Sequence, residues 1–213
     1  MSQDENEPQN DPPWAEGVTR PPPWTDAGGR TVYENPWLRL TEHNATAPTG
    51  APALYAVLRP RNLAVGVLPI HDDGTVTLVG QSRFACADFS WEMPEGGAPF
   101  DEDPLEGIRR ELAEEAGLKA DHWLEVLQMQ MSNSVTDERA VAWLCWGLSP
   151  APVAPDPTEV IVTARTPFMT LIDAIGRGQV QDAFTVATAL RAYHMARESL
   201  LPGWLAHVML HRL

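Results

Sequence analysis

Three glutamates, Glu111, Glu114 and Glu115, are the residues in this chain whose type and spacing most directly suggest chemistry. On a helix, positions 111 and 115 lie one turn apart on one face, and 114 neighbours 111, so their carboxylates converge. Like charges placed this way repel and destabilise the helix unless a cation sits among them. A divalent ion meets that need, and a few hard oxygen donors with room left for water and phosphate suit Mg²⁺, with Mn²⁺ as a substitute. The chemistry such a site offers is the holding of a substrate's phosphates on a divalent metal.

The element carrying these residues is marked at both ends. Asp103 suits an N-cap, Pro104 the first helical position and Glu106 the third, while Gly117 suits the left-handed residue that ends a helix. A helix from about Pro104 to Ala116 follows, with Leu105, Ile108 and Leu112 as the stripe that packs on a sheet.

The rest of the chain supplies candidate scaffolding. Residues 1–29 hold six of the prolines with scattered acids and read as a mobile tail, although Trp14 and Trp24 are unusual in one. Residues 30–59 read as two or three strands, broken at Asn35-Pro36 and Ala47-Pro48-Thr49-Gly50. Leu63 to Ile70 and Thr75 to Gln81 flank His71-Asp72-Asp73-Gly74 and suggest a hairpin. Further strands are expected over Leu124 to Met131, Ala140 to Leu148 and Thr158 to Thr163, with a polar loop from Ser132 to Arg139. Helices are expected over Phe168 to Gly176 and Ala183 to Ser199, and a short terminal one within Leu201 to Leu213. Strands and helices without regular alternation indicate an α+β fold. Residues 60–200 then form the main domain and 201–213 a C-terminal helical extension.

Composition narrows the partners. A net charge of −14 opposes binding of long nucleic acid, which needs a basic patch to displace counterions, whereas a small phosphorylated substrate is compatible with an acidic protein whose site holds metal. No apolar run approaches the roughly 20 residues of a membrane span. The first residues, MSQDENEPQN, contain no apolar core of a secretory signal, and Cys86 and Cys145 form no disulfide framework, so a cytoplasmic location is expected. The six histidines include no pair at metal-ligand spacing.

The segment from Gly96 to Leu118 resembles the Nudix box, GX5EX7REUXEEXGU with U aliphatic. Gly96, Glu102, Arg110-Glu111-Leu112, Glu114-Glu115 and Gly117-Leu118 fill every defined position. Seven fixed residues at ordinary background frequencies give chance agreement on the order of 10⁻⁹ per starting position. A merely solvated acidic helix face does not explain the match. Trp91-Glu92-Met93-Pro94-Glu95-Gly96-Gly97 resembles the E-x-P-x-G run that ADP-ribose pyrophosphatase-type members place before the box, and the likeness extends from about Val32 to Phe184.

The resemblance implies an α/β/α sandwich with a mixed sheet, an N-terminal antiparallel β subdomain, and a homodimer built through that subdomain. It also implies residue roles. Glu111 and Glu115 would bind Mg²⁺, Glu114 would add a ligand or assist catalysis, and the Glu95 carbonyl would complete the site. Arg110 would orient the glutamates, and Glu102 would support the loop. Glu138 would be the general base, Arg83 would clamp the diphosphate, and Glu92 would touch the substrate.

The implied activity is hydrolysis of a nucleoside diphosphate linked to a sugar, with ADP-ribose favoured. The alternatives are a GDP-mannose-type or dinucleoside polyphosphate substrate, or a non-catalytic binding module. Two departures stand out. ADP-ribose pyrophosphatases commonly carry a proline about sixteen residues after the box, and Met131-Ser132-Asn133-Ser134-Val135 has none, which counts against ADP-ribose itself. Gly107 replaces the usual alanine, at a helix cost of about 1 kcal/mol.

Overall fold

The computed structural model describes residues 12–152 and 160–211. After a 3-10 turn at Pro13–Ala15, strands β1 (Thr25–Glu34), β2 (Leu38–Thr46) and β3 (Pro52–Pro60) form an antiparallel sheet in that order. Asn35 closes the first turn, its Oδ1 accepting from the Trp37 and Leu38 amides at 2.9 and 2.8 Å. Strand β1 begins at Thr25, inside the segment read from sequence as tail, because Thr25 and Asp26 pair with Thr46 and Ala45.

The remaining strands are β4 (Asn62–Pro69), β5 (Thr75–Arg83), β6 (Asp88–Glu92), β7 (Glu95–Pro99), β8 (Leu118–Gln130), β9 (Arg139–Pro150) and β10 (Val162–Pro167). Helix α1 (Pro104–Ala116) lies between β7 and β8, and α2 (Phe168–Gly176), α3 (Ala183–Arg197) and α4 (Gly203–Leu210) follow β10. A mixed sheet has the order β7-β4-β9-β8, with β4 parallel to β9 and the other neighbours antiparallel. A third, antiparallel sheet has the order β10-β5-β6.

The hairpin expected from β4 and β5 does not form. The two strands enter different sheets and share only a corner, where Ile70 bridges Val76 and the His71 amide donates to the Thr75 carbonyl at 2.8 Å. The turn residues behave as expected, with the Gly74 amide donating to the His71 carbonyl at 2.9 Å, but the strand partners differ. Strand β4 takes β9, 76 positions on at each pair from Ala64 with Ala140 to Pro69 with Cys145, and its two buried faces explain why. Residues Val65 and Val67 pack with Ile108 and Leu112 of α1, while Leu68 faces the larger core with Leu144, Phe168, Phe184 and Leu205. In β9 the same alternation sends Trp143 and Cys145 to one side and Ala142 and Leu144 to the other. The mixed sheet is therefore covered by α1 on one face and by the third sheet with α2 to α4 on the other, the layered α+β arrangement expected. Among the described residues no helix is long and apolar enough to cross a membrane.

Helix α1 has the ends expected. Asp103 accepts from the Leu105 amide at 2.9 Å, and Gly117, at φ 63°, returns its N–H to the carbonyls of Ala113 and Leu112. Glu106 pairs with Arg109 rather than closing a capping box. Ile108 and Leu112 are fully buried and stabilise the docking by about 1.5–3 kcal/mol each. Gly107 has a packing reason: a Cβ there would lie 2.7 Å from the Ala98 Cβ, so the glycine lets α1 sit directly on β7.

Candidate active site

Helix α1 turns its acids toward β7. The Glu115 side chain is buried, and its carboxylate accepts from the Glu95 amide at 2.9 Å, tying the helix to the start of β7. Glu111 sets its carboxyl close against Gly96, where a Cβ would come within 2.4 Å of the carboxyl carbon. Only glycine admits that approach. Arg110 gathers the surrounding acids, donating to Glu111 Oε1 at 2.8 Å, Glu114 Oε2 at 3.4 Å and the Gly97 carbonyl at 3.3 Å, with Glu102 Oε2 at 3.6 Å.

These groups line a cleft of about 480 Å³ whose walls carry the carboxylates of Glu95, Glu111, Glu114, Glu115 and Glu138 against only two cations, Arg83 and Arg110. Arg83, at the end of β5, is gripped by Glu92 of β6. Its Nε donates to Glu92 Oε1 at 2.9 Å and Oε2 at 3.1 Å, and its Nη2 to Oε2, while Glu95 Oε1 stands 3.6 Å away. The Glu92 hydrogen bonds hold the guanidinium well above its ordinary pKa. Glu92 is 2% exposed and does not line this cleft, which it meets through Arg83.

Burial, reinforced by the charges of Asp182 and Glu92, pushes the Glu95 carboxyl well above the usual carboxylate range, despite the opposing pull of Arg83. Its buried Oε2 has no hydrogen-bond partner among the described residues. Five acids against two arginines, with one buried oxygen unsatisfied, is a donor set that a hard divalent cation fits. Among the described residues no three acidic, histidine or cysteine side chains already stand at ligating spacing. Arg110 is interposed between Glu111 and Glu114.

Glu138 reaches the same cleft from the loop between β8 and β9. Burial raises its pKa. That loop is pinned by the N-terminal sheet. The Leu58 amide donates to the Val135 carbonyl at 2.9 Å, the Tyr55 hydroxyl to the Ser134 carbonyl at 2.6 Å, and Arg59 pairs with Asp137.

A family model described as the NUDIX domain matches residues 60–187. The chain belongs to the Nudix family. It is 26% identical over 133 residues to an ADP-ribose pyrophosphatase of Mycobacterium tuberculosis (strain ATCC 25618 / H37Rv), covering 61% of this chain and 64% of that protein. It is 38% identical over 66 residues to an RNA pyrophosphohydrolase of Rhizobium meliloti (strain 1021), covering 29% of this chain and 40% of the other. The chain thus spans less than two thirds of the length of these relatives. A crystal structure of an ADP compounds hydrolase superposes with a TM-score of 0.77 at 18% identity, covering 85% of this chain and 98% of that one, a likeness of fold.

The Nudix fold accordingly brings Glu95, Glu111, Glu114, Glu115, Arg110, Arg83 and Glu138 to one cleft, with Glu92 behind it. Sequence reading missed Trp37 and Asn62, which also line the cleft. Trp37 is 72% exposed and comes from the turn between β1 and β2. No spacing in the sequence connects it to the box.

Proposed function

We propose that this Nudix protein hydrolyses the diphosphate of a nucleoside diphosphate linked to a sugar, with ADP-ribose favoured, giving a nucleoside monophosphate and a sugar phosphate. The observation that carries the reading is the single cleft in which the box glutamates face the Glu92-held Arg83. Glu111 and Glu115, with Glu114 and the Glu95 carbonyl, would hold Mg²⁺. The bound cation supplies charge neutralisation of the diphosphate and a lowered pKa for an attacking water. Arg83 offers its remaining guanidinium edge to phosphate oxygens, and Glu92 sets its orientation. Arg110 keeps the glutamates from splaying, and Glu138 accepts the proton of the water. The ADP-ribose pyrophosphatase named above supports the substrate class over the greater part of this chain. The intact set of box glutamates argues against a non-catalytic module.

A ³¹P NMR screen over ADP-ribose, GDP-mannose, UDP-glucose, NADH and diadenosine polyphosphates with Mg²⁺ tests the proposal. ADP-ribose is expected to yield AMP and ribose phosphate. Absence of cleavage of every compound overturns the reading, and selective cleavage of GDP-mannose moves the substrate within it.

We further propose a homodimer made through the N-terminal sheet. Every residue of β1 is exposed, and Val32, Tyr33 and Leu54, with Trp24 just before β1, leave apolar surface open to solvent. Light scattering at micromolar concentration is expected to give twice the 23.4 kDa mass of one chain, and after removal of residues 1–20 twice the mass of the shortened chain. A monomer removes the proposal.

A further inference from the structure

We propose that a second cleft, adjoining the catalytic one, is an anion subsite for a phosphate group beyond the diphosphate that is cleaved. This rests on the function proposed above. The cleft encloses about 480 Å³ and is lined by Arg39 of β2, Arg59 of β3, Arg61 at the junction of β3 and β4, and Arg139 at the start of β9. It shares Asn62 and Glu138 with the catalytic cleft, so one extended ligand can occupy both.

The charge arrangement sets it apart. The chain has 29 acids against 15 lysines and arginines, yet four arginines meet here with only Asp137 and Glu138 as acids in the lining. Arg59 is paired with Asp137, whereas Arg39 and Arg61 share the single carboxylate of Glu34. The Nε of Arg39 is buried and has no hydrogen-bond partner among the described residues. Arg139 is exposed and makes no ion pair among them. Guanidinium forks with spare donors, crowded against like charge, are suited to phosphate oxygens, which bind two donors at once. The catalytic cleft has the opposite balance and needs a metal before it tolerates an anion. The arginine cleft does not.

The extra phosphate has two chemical sources: a longer polyphosphate chain, or a phosphomonoester on the distal sugar. Diadenosine tetraphosphate represents the first and ADP-ribose 1″-phosphate the second, with ADP-ribose as the reference. The measurement is the ratio of kcat/KM for each phosphate-bearing substrate to that for ADP-ribose, in the full-length protein, in Arg139→Gln and in Arg39→Gln/Arg139→Gln. Loss of charge-assisted hydrogen bonds is expected to lower the ratio for the matching substrate by about 10- to 100-fold in the double variant. Calorimetric titration with tripolyphosphate in EDTA is expected to show binding that weakens comparably.

Should the double variant fail to fold by circular dichroism, Arg139→Gln alone serves, since that side chain has no ion pair to lose. Ratios unchanged within twofold, or tripolyphosphate binding equal in all proteins, overturn the subsite. Failure to hydrolyse any substrate refutes the parent reading instead, and the metal-free titration still decides whether the arginines bind phosphate.

Discussion

Glu115→Gln is expected to lower kcat by on the order of 10³-fold at saturating Mg²⁺, because charge neutralisation by a bound cation is worth several kcal/mol and each 1.36 kcal/mol is tenfold in rate. The substitution removes one negative charge from the donor set but keeps the shape of the side chain. The Gln oxygen can still accept from the Glu95 amide, the contact that ties α1 to β7 at 2.9 Å. Folding is therefore not expected to suffer. Repulsion between positions 111 and 115, one turn apart on the helix, is relieved instead. In EDTA the melting temperature of the variant is expected to equal or exceed that of the unaltered protein, and Mg²⁺ affinity is expected to fall. Unaltered turnover at saturating Mg²⁺ removes Glu115 from the metal site. A large drop in melting temperature assigns it a structural role through the Glu95 contact.

The extent to which the sequence revealed the molecule follows the range of the interactions involved. Helix α1 was legible because its determinants are local: Asp103 caps an amide two residues away, and Gly117 closes a turn onto Ala113. The clustering of Glu111, Glu114 and Glu115 was legible for the same reason. Strand pairing was not. The corner at His71 to Gly74 suits a hairpin and an inter-sheet bend equally, and what separates β4 from β5 is the burial of β4 on both faces against α1 and the main core. Strand β7, Glu-Gly-Gly-Ala-Pro, carries little strand propensity and exists because its backbone pairs with β4 from Asn62 to Gly66. In the site, the hydrogen bonds between Arg83 and Glu92 depend on the antiparallel pairing of β5 with β6, which spacing along the chain does not reveal. The arginine cleft is not legible in the sequence because residues 39, 59, 61 and 139 come together only in the folded chain.

Glu138→Gln is expected to reduce kcat by about 10²- to 10⁴-fold, the usual contribution of a general base, with KM little changed. The loop that carries Glu138 is held by hydrogen bonds from Tyr55 and Leu58 of β3, so the side chain meets the cleft from a braced position rather than a swinging one. Burial raises the Glu138 pKa, and the consequences for activity and stability have opposite signs. A base must be ionised, so kcat/KM is expected to fall as pH drops through the raised value, placing the acidic limb above the ordinary glutamate pKa of about 4.3. That limb is expected to vanish in the variant.

For stability, a folded-state pKa above the unfolded one favours the protonated carboxyl. Its contribution is fully present below the unfolded pKa and is lost as pH rises through the folded pKa. At pH 7 the ionised group is therefore a burden, and Glu138→Gln is expected to melt no lower than the unaltered protein. Mg²⁺ affinity measured by calorimetry is expected to hold, in contrast to Glu115→Gln. A kcat loss below about threefold returns Glu138 to the loop surface as a bystander. Collapse of Mg²⁺ affinity makes it a ligand instead, and Glu114, which Arg110 already holds on the cleft wall, becomes the group to test as base.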